Sequence, residues 1–223
     1  PAAPLPIDHF LDDATGRVIA EVTLGFAPDE LSAELADDFR ELLRHASLTT
    51  WNVPGARQVQ APELWASVTE TRTRLRSALD ALIARRSEAG DLPELLSALS
   101  RASESGGDTF GEVCGLLFAG FDTSSAALGW ALWLLADASE LQSKLREQIR
   151  ACTGGQGLDL EQVLKLDDLS AFLAETLRIF PPVPILSRVA FADDVVNGVA
   201  VAAGQKVLLS VIGLHLDPAV FPQ

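Results

Sequence analysis

Two small groups of residues carry most of the chemistry available to this chain. The first is Gly120, Asp122 and Thr123, set inside the apolar run VCGLLFAGFDTSSAALGWALWLLA from Val113 to Ala136. Asp122 is the single ionisable carboxylate of that run. A glycine there costs ~1 kcal/mol of helix stability against alanine, and a threonine lowers helix propensity slightly. A buried carboxylate costs more unless it is paired or titrates. Removing a side chain at Gly120 lets something approach the backbone. The Thr123 hydroxyl can accept a bond and offer a proton, and Asp122 can pass protons on, so the three describe a polar notch suited to a ligand and to proton delivery. A helix kink, with the hydroxyl satisfied locally and Asp122 bonded to a neighbouring loop, explains the same residues. Both readings stand at this level.

The second group is Glu175 and Arg178, at i and i+3 on one helical face. Ala171, Phe172 and Ile179 share that face, while Leu169, Leu173, Leu177 and Phe180 take the other side. A helix apolar nearly all round predicts a buried pair. Burial would impose a desolvation penalty of several kcal/mol per ion, recovered only through further hydrogen bonds. A third partner is therefore expected, and none lies beside the pair in sequence. An ordinary surface pair, worth only ~0.2–0.5 kcal/mol, is the simpler reading of the spacing alone.

These residues need elements to hold them. Leu31, Leu35, Phe39, Leu42 and Leu43 form one apolar stripe, with Pro28, Asp29 and Glu30 suited to a helix start. Leu64, Val68, Leu75, Leu79, Leu82 and Ile83 form another, ended by Gly90. That second helix carries Arg72, Arg74, Arg76, Arg85 and Arg86, read as a solvated face rather than a docking surface. Ser103 to Gly107 reads as a loop, and a long helix follows from about Phe110 to Ala136. Its length admits a membrane span, but a central charge costs ~2.5–3.5 kcal/mol on insertion scales. Thr123, Ser124 and Ser125 add to the polar centre, and Glu112 and Asp137 flank the run where basic residues would orient a span. The segment is read as the central helix of a large soluble protein.

Ser139 and Gln142 suggest a capping box for a helix bearing Leu141, Leu145 and Ile149. Gly154, Gly155 and Gly157 break the chain, Asp167 is placed to cap the next helix, and Pro181 and Pro182 stop it. Short β-rich runs follow at Val195–Val196, Val199–Val201 and Val207–Ile212, punctuated by Gly198 and Gly204. The expected architecture is mainly α, with a small β-sheet near the C-terminal end.

Composition removes several common functions. The 223 residues are 48% hydrophobic and 22% charged, which suits a globular core. With 31 acidic residues against 17 Lys and Arg, the formal charge of -14 supplies no cationic footprint for nucleic acid. Cys114 and Cys152 cannot build a disulfide framework, and a reducing compartment follows as the default. His9, His45 and His215 are scattered, so no metal site is expected from spacing. The chain starts at Pro1, contains no methionine and stops just after Pro222, and it is read as a piece of a longer protein.

Taken together, the stretches AGFDTS (Ala119 to Ser124), ETLRIFPPVP (Glu175 to Pro184), SRVAFADDVVNGVAVAAGQKV (Ser187 to Val207) and HLDPAVFP (His215 to Pro222) resemble the cytochrome P-450 family of haem-thiolate monooxygenases. Each piece is weak alone, and their order and spacing make the joint resemblance specific from about Phe110 to Gln223. The resemblance implies a cytochrome P-450-like helical fold, incomplete at both ends. Residues 1–108 would be amphipathic helices of roughly the E to H region, 109–180 the I to K helices, and 181–223 the small sheet region. Ala119 and Gly120 would line the distal oxygen groove, with Asp122 and Thr123 as the acid–alcohol pair that delivers protons. Glu175 and Arg178 would be the structural ion pair of the K helix, and Arg188 would bond a haem propionate.

The implied cofactor is haem b, with electrons drawn from NAD(P)H through a ferredoxin or flavoprotein reductase. The implied reaction reduces dioxygen and inserts one oxygen atom into a small apolar substrate. A thiolate ligand favours the O–O cleavage this needs. Neither Cys114 nor Cys152 matches the family's ligand position, so no metal ligand is assigned and the chain alone is expected to be inactive. A buried structural thiol is the role expected of Cys114. A cytoplasmic monomer is expected, with a lost N-terminal anchor as the variant. The alternative function is a haem-free relative that binds or activates another enzyme.

Overall fold

The computed structural model describes residues 7–25, 37–38, 41–42, 62–104, 106–153, 157 and 159–222. The helices with described bounds are, in chain order, α1 (Ile7–Leu24), α2 (Pro62–Ala89), α3 (Glu94–Glu104), α4 (Thr109–Ala136), α5 (Ser139–Thr153), α6 (Leu160–Val163) and α7 (Asp167–Ile179). Strands β1 (Ile185–Val189), β2 (Asp194–Val196), β3 (Val199–Val201) and β4 (Lys206–Ser210) follow, then α8 (Val211–His215). The architecture is mainly helical with a little sheet near the end, as the sequence patterns predict. The expected stripe from Leu31 to Leu43 lies largely outside the described residues, of which 37–38 and 41–42 are helical.

The chain divides into two compact units, residues 12–122 and residues 1–11 with 123–223. Helices α1 and α4 contribute to both. The core of the first unit joins Ala20 and Leu24 of α1, Leu75, Leu79 and Leu82 of α2, Leu96 of α3, and Phe110, Val113 and Leu117 of α4. Leu96 is wholly buried at 0% exposure. The α2 positions recur at spacings of four and three, the stripe a helix lays against a core. Gly90 closes α2 at φ 75°, with Asp91 N–H bonded to Arg86 O and Gly90 N–H to Ser87 O at 3.1 and 3.2 Å. That is the paired arrangement a left-handed glycine cap provides.

The arginines of α2 meet carboxylates of the same unit. Arg74 holds Asp38, whose carboxyl is lowered by that hydrogen bond, and Arg76 reaches Asp108 at 3.0 Å. Arg76 also lies 4.6 Å over the Phe110 ring. The basic cluster is thus partly absorbed within the unit.

Helix α1 carries apolar residues at helical spacing, Ile7, Leu11, Ala14, Val18 and Val22, but Ile7, Val18 and Val22 of these are exposed. Its buried positions include Thr15 and Thr23, at 6% and 2% exposure, beside Leu11, Ala20 and Leu24. Thr15 returns its hydroxyl to Asp12 O at 3.4 Å, a local bond that lets a polar side chain fill a core slot.

In the second unit, Trp130 of α4 stacks on Phe180 at 4.2 Å and 6°, and Trp133 meets both rings edge-on. Strands β1 and β4 pair antiparallel with Arg188 opposite Val207, and β2 pairs antiparallel with β3. The β2–β3 turn is Asn197-Gly198 with φ 50° and 80°, the positive pair a two-residue hairpin requires.

Four local expectations are corrected. The capping box does not form: Gln142 instead donates its Nε2 to Leu135 O at 2.6 Å, satisfying an end carbonyl of α4. Asp167 is the first residue of α7 rather than its cap, because Leu166 occupies the cap position without a side-chain bond. Helix α3 runs through Ser103 and Glu104, shortening the expected loop. The last β-run stops at Ser210, whose Oγ accepts from Gly213 N–H at 3.0 Å and starts α8 over Val211 and Ile212.

Candidate functional site

Helix α4 carries the first group. Its inward positions Phe110, Val113, Leu117 and Phe121 are all buried, at spacings of three and four. Phe121 takes the inward slot, so Asp122, one residue or about 100° further round the helix, is turned outward and exposed. Within this chain the expectation of a buried carboxylate does not hold, because the register of α4 turns Asp122 away from the core of the first unit. Thr123 is half-buried and Ala119 exposed. A straight helix sets residues four apart on one side.

Gly120 has a definite neighbour. A Cβ built there would stand 2.3 Å from Ile19 Cδ1 and 2.7 Å from Ile19 Cγ1. What approaches the backbone at the glycine is therefore the side chain of Ile19 on α1. Gly16 of α1 in turn faces the Phe121 ring, 3.5 Å from where its own Cβ would be. The two helices interlock through a glycine on each.

Helix α7 carries the second group, and here one expectation holds while another fails. Arg178 Nε donates to Glu175 Oε2 at 2.7 Å and Nη2 to Oε1 at 2.5 Å, a two-pronged pair. This hydrogen bond lowers the Glu175 carboxyl below the usual carboxylate range and raises the Arg178 guanidinium above its own. The expected third partner exists: Nη1 donates to His215 O at 2.7 Å, 37 residues downstream. The expected burial does not, since the side chains are 54% exposed at Glu175 and 25% at Arg178. The inward position of this turn belongs to Thr176, 1% exposed, with its hydroxyl bonded to Phe172 O at 2.9 Å. The pair flanks that position.

Around Arg178 the structure gathers residues to which sequence reasoning assigned no role. His215 Nδ1 lies 3.1 Å from Arg178 O, and the Phe221 ring sits 5.4 Å from the guanidinium carbon. Both belong to HLDPAVFP, and with His215 37 residues downstream of Arg178 no helical spacing links them. Asp168, at the start of α7, is lowered by hydrogen bonds from Lys144 and Gln148.

Arg188 stands on β1 with its side chain exposed and its Nη1 donating to Ser187 O at 2.9 Å. The structure places it on a separate element from Asp122 and from Glu175. Cys114 is half-buried on α4, where burial pushes its thiol up to about 11, and Cys152 is exposed near the end of α5. A raised thiol is an unreactive one, which agrees with a packing role for Cys114. No group of three or more His, Cys, Asp or Glu among the described residues could hold a metal ion. No helix among them is long and apolar enough to cross a membrane.

Comparison with known proteins adds the wider setting. A family model described as Cytochrome P450 matches residues 4–223. "Cytochrome P450 4V2" of Mus musculus is 36% identical over 113 residues, covering 50% of this chain and 22% of that protein. "Cytokinin hydroxylase" of Arabidopsis thaliana is 36% identical over 99 residues, 44% of this chain and 19% of that protein. Among solved structures, "Crystal structure of cytochrome P450DA heme domain" superposes with TM-score 0.79 at 20% identity, covering 98% of this chain and 50% of that one. "Retinoic acid bound cyanobacterial CYP120A1" gives TM-score 0.76 at 23% identity, covering 96% and 49%. The chain spans about half the length of those two structures, and its matches span about a fifth of the curated relatives. A match that runs from residue 4 to residue 223, on a fold shared almost end to end, makes this chain a member of the cytochrome P450 family.

Proposed function

We propose that this chain is part of a haem-dependent monooxygenase, and that α4 supplies its proton-delivering side. The observation that carries the reading is the acid–alcohol pair Asp122-Thr123 in mid-helix on α4, next to Gly120, in a chain whose match to the family runs over residues 4–223. Thr123 Oγ1–H would donate a proton at the oxygen side, and Asp122, having taken a proton from water as the carboxylic acid, would pass it to Thr123 Oγ1. Ala119 gives this stretch of α4 a small exposed side chain, while the space at Gly120 is taken by Ile19.

The residues present suit only part of a haem site. Arg188 presents an exposed guanidinium of the kind that bonds a propionate. Neither cysteine suits the sulfur ligand: the Cys114 thiol is pushed up by burial, and Cys152 lies exposed beside a loop bond from Gln162 to its carbonyl. When bound in a complete protein, the haem would supply the reductive activation of dioxygen. Electrons from NAD(P)H would arrive through a ferredoxin or flavoprotein reductase, and a small apolar molecule would take the oxygen atom.

The test is to express the complete reading frame that contains this chain and record the carbon monoxide difference spectrum of the reduced protein. A thiolate-type Soret shift, with oxygenated product on adding a reductase system, is expected. A purified, folded protein that takes up no haem would overturn the reading and leave a haem-free relative that binds another protein.

A further inference from the structure

We infer that His215 is a positioning residue for Arg178, joined to it by a reciprocal pair of hydrogen bonds that fixes the arginine at both its backbone and its side chain. The inference rests on the proposed function only in giving the Glu175–Arg178 pair a haem-domain role; the clamp itself stands on geometry. Arg178 Nη1 donates to His215 O at 2.7 Å, and His215 Nδ1 lies 3.1 Å from Arg178 O. A carbonyl oxygen only accepts, so Nδ1 must carry the proton.

The two bonds join the last turn of α7 to the last residue of α8 in opposite senses. Neither alone would hold the guanidinium. The backbone bond anchors the turn that bears Arg178, and the side-chain bond sets the direction in which the guanidinium points. With Nη1 held by His215 O, Nε and Nη2 are the donors left facing Glu175, and they are the two that grip it. Phe221 completes the clamp from the ring side: its ring centroid is 6.0 Å from that of His215 and 5.4 Å from the Arg178 guanidinium carbon. Phe221 is itself held by its N–H on Asp217 O at 2.8 Å. The arginine is thus fixed from α7, from α8 and from the turn that follows α8.

The choice of histidine is specific. A donor is needed two bonds beyond Cβ, where the ring places Nδ1 and where the Nδ2 of asparagine also falls. Glutamine carries its amide one carbon further, near Nε2, and an aliphatic side chain carries no donor. The clamp therefore predicts that His215→Asn is tolerated and His215→Gln is not.

The experiment compares wild type, His215→Asn, His215→Gln and His215→Ala in the full-length protein, reading melting temperature, haem content and the ring-nitrogen NMR shifts of His215. The wild type should show the ring protonated at Nδ1 at neutral pH. The Gln and Ala variants should melt lower by roughly 1–2 °C, the shift for one lost hydrogen bond in a protein about twice the length of this chain. Their haem content should fall with it, and Asn should restore both. A ring protonated at Nε2 alone, or Asn and Gln variants of equal stability, would overturn the clamp. If Ala fails to fold, the Asn–Gln contrast still decides. A wild-type protein without haem would count against the proposed function and leave the tautomer and the melting order to judge His215.

Discussion

Replacing Gly120 by alanine separates two explanations of that glycine, and the sign of the effect should depend on Ile19. Alanine in a helix interior is favoured over glycine by ~1 kcal/mol. Against that gain, the new methyl would stand 2.3 Å from Ile19 Cδ1 and 2.7 Å from Cγ1. Ile19 cannot simply swing aside, since a β-branched side chain in a helix has one strongly preferred χ1. Overpacking of this kind costs ~1–3 kcal/mol, so the substitution should be destabilising by ~1 kcal/mol net. In an Ile19→Ala background the two clashing atoms are gone, and the nearest remaining atom is the Cβ at 3.6 Å, ordinary contact. The same Gly120→Ala change should then stabilise by up to ~1 kcal/mol, giving a coupling of ~2 kcal/mol, within the range for residues in contact. Urea unfolding of the full-length protein and the three variants measures it. Equal effects of Gly120→Ala in both backgrounds would refute the packing account and return the glycine to ligand access alone.

Further outcomes follow from the same geometry. Thr123→Ala should leave stability nearly unchanged and lower product formed per electron consumed in the reconstituted full-length enzyme; unchanged coupling would remove Thr123 from the proton path. Because Arg178 lowers the Glu175 carboxyl in the folded state, the stability this adds is present above the ordinary glutamate value of about 4.3 and is lost as pH falls through the lower folded value. Acid unfolding of Glu175→Gln should therefore be less steep than that of the wild type over that window, and identical curves would refute the linkage. At neutral pH a thiol reagent should modify exposed Cys152 well before Cys114, whose thiol is raised by burial to about 11; mass spectrometry of the early adducts would show the reverse order if the burial is wrong.

The long helices were legible because their apolar positions keep the helical period. Gly90 and the Pro181-Pro182 pair stop helices for local reasons that any sequence displays, and Asn197-Gly198 marks its hairpin in the same way. In helix α1 the buried face is not legible, since Ile7, Val18 and Val22 of its apolar stripe are exposed while Thr15 and Thr23 take core slots. Capping residues misled for a different reason. Gln142 fits a capping box by spacing, yet the carbonyl of Leu135 is the stronger local demand. For the site, the pairing of Glu175 with Arg178 is written in its i,i+3 spacing, whereas their exposure is not. The exposure depends on Thr176, a polar residue, holding the inward position of that turn. His215 was beyond reach of any local rule because its bond to Arg178 spans 37 residues.

That separation also bears on the order in which the second unit assembles. The Gln142 clasp joins residues 7 apart, while the Arg178–His215 clamp joins residues 37 apart. Loop closure that scales as the three-halves power of length makes the second encounter roughly tenfold rarer in an unfolded chain. During synthesis, the α4–α5 corner can close as soon as α5 leaves the ribosome. Arg178 must wait, with its guanidinium committed to Glu175 alone, until β4 and α8 have emerged. A ribosome pausing between those two moments would hold a chain whose α4–α5 corner is closed and whose arginine has Glu175, but not His215, as its partner.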